Sequence, residues 1–273
     1  MSMDISKMRL IDGHRSTEAD MSTTRDAVRD RYRARAIQMA DTGCCGSGSC
    51  GDASAEAGCG GEYTTAELAE VGLDGSVSLG CGNPTLLAQL HPGETVLDLG
   101  SGGGLDVLLS ARRVAPGGHA YGVDMTDEML DLANGNRARA GVDNATFLRG
   151  TIEQVPLADA SVDVVISNCV INLAEDKGAV IREAYRVLKP GGRFAVSDMV
   201  ELRDLPAPVK EALDAWAGCV AGTIPVERYR QLIVEAGFEA VDLEITNEQS
   251  VEGLPGAIGS AAIRARKPAT APS

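Results

Sequence analysis

The sequence predicts an α/β fold: a mostly parallel, seven-stranded sheet with helices on both faces, an N-terminal Cys-rich segment ahead of it and a late helical insertion. Three observations predict it. Short apolar runs alternate with helical patterns from Pro92 to Ser197, the order that builds a parallel sheet covered on both sides. Glu94 to Asp106 reads ETVLDLGSGGGLD, a β-rich run, a turn with almost no side chains, and the start of an apolar helix. Pro-Gly-Gly recurs at 116–118 and 190–192, as turn punctuation between a helix and the next strand.

Taken in order, residues 1 to 22 are polar and mixed, expected to be a loose leader in which Met21 could serve as an alternative start. Thr24 caps an expected helix over Arg25 to Met39, with Ala27, Val28, Tyr32, Ala36 and Met39 on one stripe. Asp41 to Gly61 has the composition of a flexible linker, yet holds Cys44, Cys45, Cys50 and Cys59. Tyr63 to Val71 reads as a short helix and Ser78 to Pro84 as a loop. Thr95 to Leu99 is the first strand; Leu105, Val107, Leu108, Leu109, Ala111 and Val114 give the helix behind it. Ala120 to Val123 is a second strand ending at Asp124, and Thr126 caps the next helix, which Gly141 stops. Ala145 to Arg149 and Val162 to Ser167 are the third and fourth strands. Val180, Ile181, Ala184, Tyr185, Val187 and Leu188 line a helix ended by Lys189-Pro-Gly-Gly192, before a fifth strand at Arg193 to Ser197. Beyond Asp198, Pro206 to Val220 reads as a helical insertion and Pro225 to Ala236 as a helix. Phe238 to Ile245 and Ala257 to Arg264 are the last strands. The division is 1–62, a helix and flexible Cys/Gly-rich segment; 63–200, the core; and 201–273, the insertion and terminal strands.

The bulk numbers bound the function. A chain of 273 residues that is 44% hydrophobic has ample material for a core. A formal charge of −14 argues against nucleic acid or an anionic membrane as partner. No apolar run reaches the ~20 residues needed to cross a bilayer, and no signal-peptide core opens the chain, so the expectation is cytoplasmic. Seven cysteines in a reducing compartment point to reactive or ligand-binding thiols over structural disulfides. His91 and His119 sit in turn-like positions and read as structural.

The glycine turn suits a nucleotide-type ligand lying against the backbone. A dinucleotide fingerprint wants glycine five positions after Gly100, where this chain has Leu105. Asp98 would also repel a pyrophosphate and suits a cationic, phosphate-free cofactor that carries an amino group. Here the chain resembles the first motif of S-adenosylmethionine-dependent methyltransferases with a Rossmann-like sheet; a tight turn without a ligand is the bland alternative. Asp98, Asp124, Glu153 and Asn168 follow successive strands and would converge on one crevice. Asp124 can accept two ribose hydroxyls, or simply start the Thr126 helix. Thr151-Ile-Glu153 looks like the family segment beside the adenine. With Gly100, Ser101, Gly102, Met125 and Ile152, these residues are the candidate cofactor set.

Three cysteines stand outside the linker: Cys81 on a glycine-flanked loop, Cys169 beside Asn168, and Cys219 on the insertion. Singly, each also reads as a buried small hydrophobe, most readily Cys219. With Cys44-Cys45, YTTAEL (63–68), LGCGNP (79–84), VLDLGSGGG (96–104), YGVDMTDE (121–128), ISNCVINL (166–173) and GCVAG (218–222), the chain resembles the arsenite S-adenosylmethionine methyltransferases over about residues 25 to 240. Cys50 and Cys59 fall outside that pattern. The resemblance implies that Cys81, Cys169 and Cys219 bind trivalent arsenic as thiolates. It implies that Cys44-Cys45 form a thiol relay re-reduced by thioredoxin or glutathione. It also implies that one of the last two strands is inserted antiparallel. Soft trivalent arsenic suits sulfur. Held by three sulfurs it keeps a lone pair that can attack a sulfonium methyl, with no general base because no proton leaves. Methylarsenite, one ligand position short, would need only Cys169 and Cys219. Two other readings compete. A quinone-type carbon or oxygen methyltransferase shares Arg182 to Gly192 but leaves Cys81 and Cys219 unexplained. A metalloid- or zinc-binding sensor lacks the paired two-residue cysteine spacings.

Overall fold

The computed structural model describes residues 17–41, 63–73, 80–206, 222–251 and 254–269. Its strands are β1 (Thr95–Leu99), β2 (His119–Asp124), β3 (Ala145–Arg149), β4 (Val162–Asn168), β5 (Leu188–Glu201), β6 (Glu239–Val251) and β7 (Leu254–Arg266). They form one seven-stranded sheet in the order β3-β2-β1-β4-β5-β7-β6. The first five pair in parallel, and β7 lies between β5 and β6, antiparallel to both. The strand order reverses between β1 and β4, so the connections leaving their carboxyl ends diverge and open a crevice there.

The helices are α1 (Thr17–Asp41), α2 (Thr65–Val71), α3 (Pro84–Leu87), α4 (Leu105–Val114), α5 (Asp127–Ala140), α6 (Lys177–Val187) and α7 (Val226–Glu235). Strand alternation divides the apolar side chains between two layers. Leu97 and Leu99 of β1 pack with Val180, Ile181 and Ala184 of α6 and Tyr229 and Ile233 of α7. Val96 points the other way, to Leu108, Leu109 and Ala111 of α4. A third, smaller cluster joins Val28 of α1 to Cys169, Leu173, Met199, Leu205 and Ile258, with Tyr32, Cys81 and Met125 packed against it. It ties α1 to the crevice end of the sheet.

The elements depart from the sequence expectation in several places, among them β6, which runs on to Val251, and β7, which starts at Leu254. α1 begins at Thr17, so Thr24 lies inside a helix that it was expected to cap. Pro84 is not the end of a loop but the first turn of α3, capped by Asn83, whose side-chain oxygen accepts from Leu86 N (3.2 Å); proline fits that position because its missing N–H has no helical partner. β5 starts at Leu188 and passes through Lys189-Pro-Gly-Gly192 to Glu201. Leu188 pairs with Val162, while Asp198 to Glu201 pair with Ala261 to Ile258 of β7. Those partners are distant in sequence, and local propensity does not reveal them. The expected insertion lies outside the described residues from 207 to 221. No helix among the described residues is long and apolar enough to cross a membrane.

Candidate active site

The crevice is built on the turn between β1 and α4. Positive φ at Gly100 (74°), Gly102 (48°) and Gly104 (88°) puts three turn residues in the left-handed region, which glycine enters at no steric cost. The turn is fastened from three directions. Val123 O accepts the amides of Gly100 (2.9 Å) and Ser101 (3.0 Å), Asp124 Oδ2 accepts Gly102 N (3.0 Å), and Gly103 O accepts Asn136 Nδ2 (2.7 Å). A Cβ on Gly102 would meet nothing within 4 Å, so that backbone faces open space.

The outer part of the crevice encloses about 740 Å³, partly open to solvent, between Asp124, Met125, Ile152 and Glu153 and the Arg25, Val28 and Tyr32 side chains of α1. The inner part, about 520 Å³, lies among Asp98, Ser101, Asp106 and Asn168. Gly100, Gly102, Val170 and Tyr32 line both, so the two parts of the crevice adjoin. Every residue of the expected cofactor set therefore borders it. The Ser101 Oγ is buried with no partner among the described residues. Asp124 lines the crevice, and its Oδ1 accepts Thr126 N (2.9 Å) at the start of α5, as the helix-start reading expected.

The inner crevice is acidic. Burial, then repulsion from Asp106 and Asp124, pushes the Asp98 carboxyl well above the ordinary range, and no cation pairs with it among the described residues. Burial also raises Asp106 to about 6, against the pull of hydrogen bonds from Tyr63 and Asn168. Tyr63 donates to Asp106 Oδ1 (2.5 Å), and burial lifts its own phenol well above its normal value. Such a pocket asks for a cation. Further along β5, Asp198 accepts from Tyr229 OH (3.0 Å) and from Met199 N (2.9 Å); burial raises it to about 7.

Asn168 does not present a free carboxamide to the crevice. Its Oδ1 accepts from Cys81 N (2.9 Å) and Gly82 N (3.2 Å), while its Nδ2 donates to Gly82 O (2.8 Å) and Tyr63 OH (3.0 Å). It is a clamp on the Cys81 loop. The loop comes so close that a Cβ at Gly80 would overlap the Asn168 side chain. Gly80→Ala should therefore unseat the clamp and cost about 1–3 kcal/mol of stability. A thermal melt checks it, and an unchanged midpoint would show that the loop adjusts freely.

Cys81 and Cys169 were expected as two free thiolates. The structure corrects that: they are joined by a disulfide, with Cα atoms 5.8 Å apart across 88 residues of sequence. The physical reason is the clamp, which brings the loop to within bridging distance. Cys169 has φ of 58°, left-handed for a residue with a side chain. Its amide donates to Ser197 O (2.8 Å), and it is only 1% exposed. Cys219, Cys44, Cys45, Cys50, Cys59 and Trp216 lie outside the described residues. Among the described residues no cluster of three or more His, Cys, Asp or Glu side chains could hold a metal ion. His119, expected in a turn, is instead the first residue of β2, its Nε2 3.0 Å from Thr146 Oγ1.

Sequence reasoning missed Tyr63, Asp106 and the α1 face. Asp106 is 8% exposed within the apolar run of α4, an acid where a hydrophobe fits the period. Thr64 and Glu67 form a capping box, legible as T-x-x-E, which fixes Tyr63 just ahead of α2.

The methyltransferase domain family matches residues 90–237. An arsenite methyltransferase of Halobacterium salinarum is 42% identical over 271 residues, spanning 92% of this chain and 68% of that protein. An arsenite methyltransferase of Aquipseudomonas alcaligenes is 39% identical, and there the match covers 67% of this chain but 53% of the relative. Among solved structures, CrArsM, an arsenic(III) S-adenosylmethionine methyltransferase from Chlamydomonas reinhardtii, superposes with a TM-score of 0.61 at 34% identity, covering 76% of this chain and 71% of that one. With a seven-stranded sheet closed by an antiparallel strand, a glycine turn at the switch point and similarity along most of its length, this chain belongs to the arsenite methyltransferase family of S-adenosylmethionine-dependent enzymes.

Proposed function

We propose that the chain methylates trivalent arsenic, arsenite first and then methylarsenite, with the metalloid held by cysteine thiolates, and that the reaction serves arsenic detoxification in the cytoplasm. The observation that carries the reading is the Cys81–Cys169 pair. Two sulfurs distant in sequence meet at the end of β4, between Asn168 and Val170 of the cofactor crevice. Opening the disulfide with a thiol, two electrons and two protons, frees two soft ligands at that point. Cys219 is the proposed third ligand, and Cys44 and Cys45 the proposed relay; both assignments rest on the family resemblance.

The crevice fits S-adenosylmethionine in charge and shape. Asp98 offers a buried carboxyl that an arriving ammonium would favour in its ionised form, Gly102 an open backbone, and Asp124, Ile152 and Glu153 a polar and apolar border. S-adenosylmethionine supplies a methyl group on a cationic sulfur. The protein's part is to aim the arsenic lone pair at that carbon and to keep water out. As the arsenic–carbon bond forms, the carbon–sulfur bond breaks and its pair stays on sulfur. Arsenic passes from the trivalent to the pentavalent state. A thiol reductant, thioredoxin or glutathione, then returns two electrons.

The test is transfer of labelled methyl from S-adenosylmethionine to arsenite, with and without added thiol, followed by separation of the arsenic species. Methylated arsenicals that appear only with thiol are the expected result. No methylated arsenic under reducing conditions overturns the proposal.

A further inference from the structure

We infer that Tyr32 of α1 forms the wall of the cleft at the point of methyl transfer and holds the cofactor's sulfonium charge against its ring. The inference rests on the proposed binding of S-adenosylmethionine in this crevice. Three observations carry it. Tyr32 lines both the outer and the inner crevice, and no other described residue of α1 lines the inner one. The same side chain packs against the cluster that contains Cys169, as does Cys81. It therefore stands where the cofactor cleft and the cysteine pair adjoin. α1 is also held across the opening by ion pairs at both sides, Arg25 to Glu153 (3.3 Å) and Arg33 to Glu128 (2.6 Å), with Val28 buried between them.

The chemistry of the ligand decides what Tyr32 does there. An ammonium has N–H donors and is satisfied by a carboxylate such as Asp98. A sulfonium carries a full charge but no donor, so hydrogen-bond acceptors serve it poorly. The negative face of an aromatic ring suits it better, as it does other donor-free cations. An apolar ring over the reacting carbon also excludes water, which keeps the electrostatics strong.

Loss of one methyl turns the sulfonium into the neutral thioether of S-adenosylhomocysteine, so the pair of ligands isolates the charge. Calorimetric titration of both ligands into the wild-type chain, Tyr32→Phe and Tyr32→Leu tests the inference. Tyr32→Phe keeps the ring and should bind both within about twofold of wild type. Tyr32→Leu should lose about tenfold for S-adenosylmethionine and less than about twofold for S-adenosylhomocysteine. Retained binding of the neutral ligand shows that the variant is folded. Equal loss of both ligands in Tyr32→Leu, or loss of neither, overturns the charge role. A wild-type chain that binds neither ligand removes the cofactor reading itself, and this inference with it.

Discussion

Cys169→Ser is expected to depress methyl transfer to arsenite and to methylarsenite by roughly 10²-fold or more, the scale that misplacing a reacting group commands. Three effects add at this position. A hydroxyl is a hard, weakly acidic ligand and does not replace a thiolate on trivalent arsenic. Cys169 is the member of the pair that sits in the chain between two crevice residues, Asn168 and Val170, so the metalloid loses its link to the cofactor end of the site. And Cys81, left without its partner, has nothing to share the arsenic with at that end. The backbone is not the cause, because serine keeps the Cβ that already tolerates a φ of 58°. Binding of S-adenosylmethionine should stay within about twofold by calorimetry, since no cofactor contact is removed. The companion variant sharpens the assignment. Methylarsenite has one ligand position fewer, so Cys81→Ser should lose arsenite methylation and keep methylarsenite methylation. Product analysis with each arsenical decides it: turnover retained in Cys169→Ser would remove that residue as a ligand, and equal losses in Cys81→Ser would remove the selectivity.

The middle of the fold was legible because local signals and tertiary partners agree there. β3 occupies 145–149 as read, and α5 ends at Gly141 in a left-handed cap. The same logic that places Asp98, Asp124 and Asn168 at the ends of parallel strands brings them to one crevice. What was not legible depends on distant partners. β5 is long because β7 supplies an antiparallel ladder past Ser197. The Cys81–Cys169 bond was not legible because its clamp is long-range: Asn168, read as a cofactor neighbour, lines the crevice and also spends its amide on the loop carrying Cys81. α1 was read as an amphipathic stripe, and nothing local says that Val28 and Tyr32 line the crevice as well as packing into the third apolar cluster.

Asp98→Asn should act in opposite directions on binding and on stability. Asp98 is 3% exposed, unpaired with a cation among the described residues, and repelled by Asp106 and Asp124. Its ionised form is therefore costly in the free protein and is stabilised when a cationic ligand arrives. A charge-assisted hydrogen bond contributes about 1.5–3 kcal/mol, so the variant should lose roughly 10–100-fold in S-adenosylmethionine affinity. The free protein should gain stability instead, because asparagine fills the same space without the charge. The pH dependence follows from the sign of the shift. A carboxyl raised in the folded state contributes stability below its unfolded pKa and loses it as pH rises through the folded value. Asp98 and Asp106 are both raised, Asp106 to about 6. Their contribution should thus make the free protein less stable at pH 8 than near pH 5, and Asp98→Asn should flatten that difference. Affinity for the cationic cofactor should run the other way, rising with pH as Asp106 ionises through about 6 and as Asp98 ionises above its ordinary range. Melting curves and calorimetric titrations at pH 5, 6, 7 and 8 measure both. A variant that binds as tightly as wild type would mean that Asp98 does not meet the cofactor. A variant that loses stability would mean that the carboxylate is already satisfied in the free protein, and that the acidic pocket is not waiting for a cation.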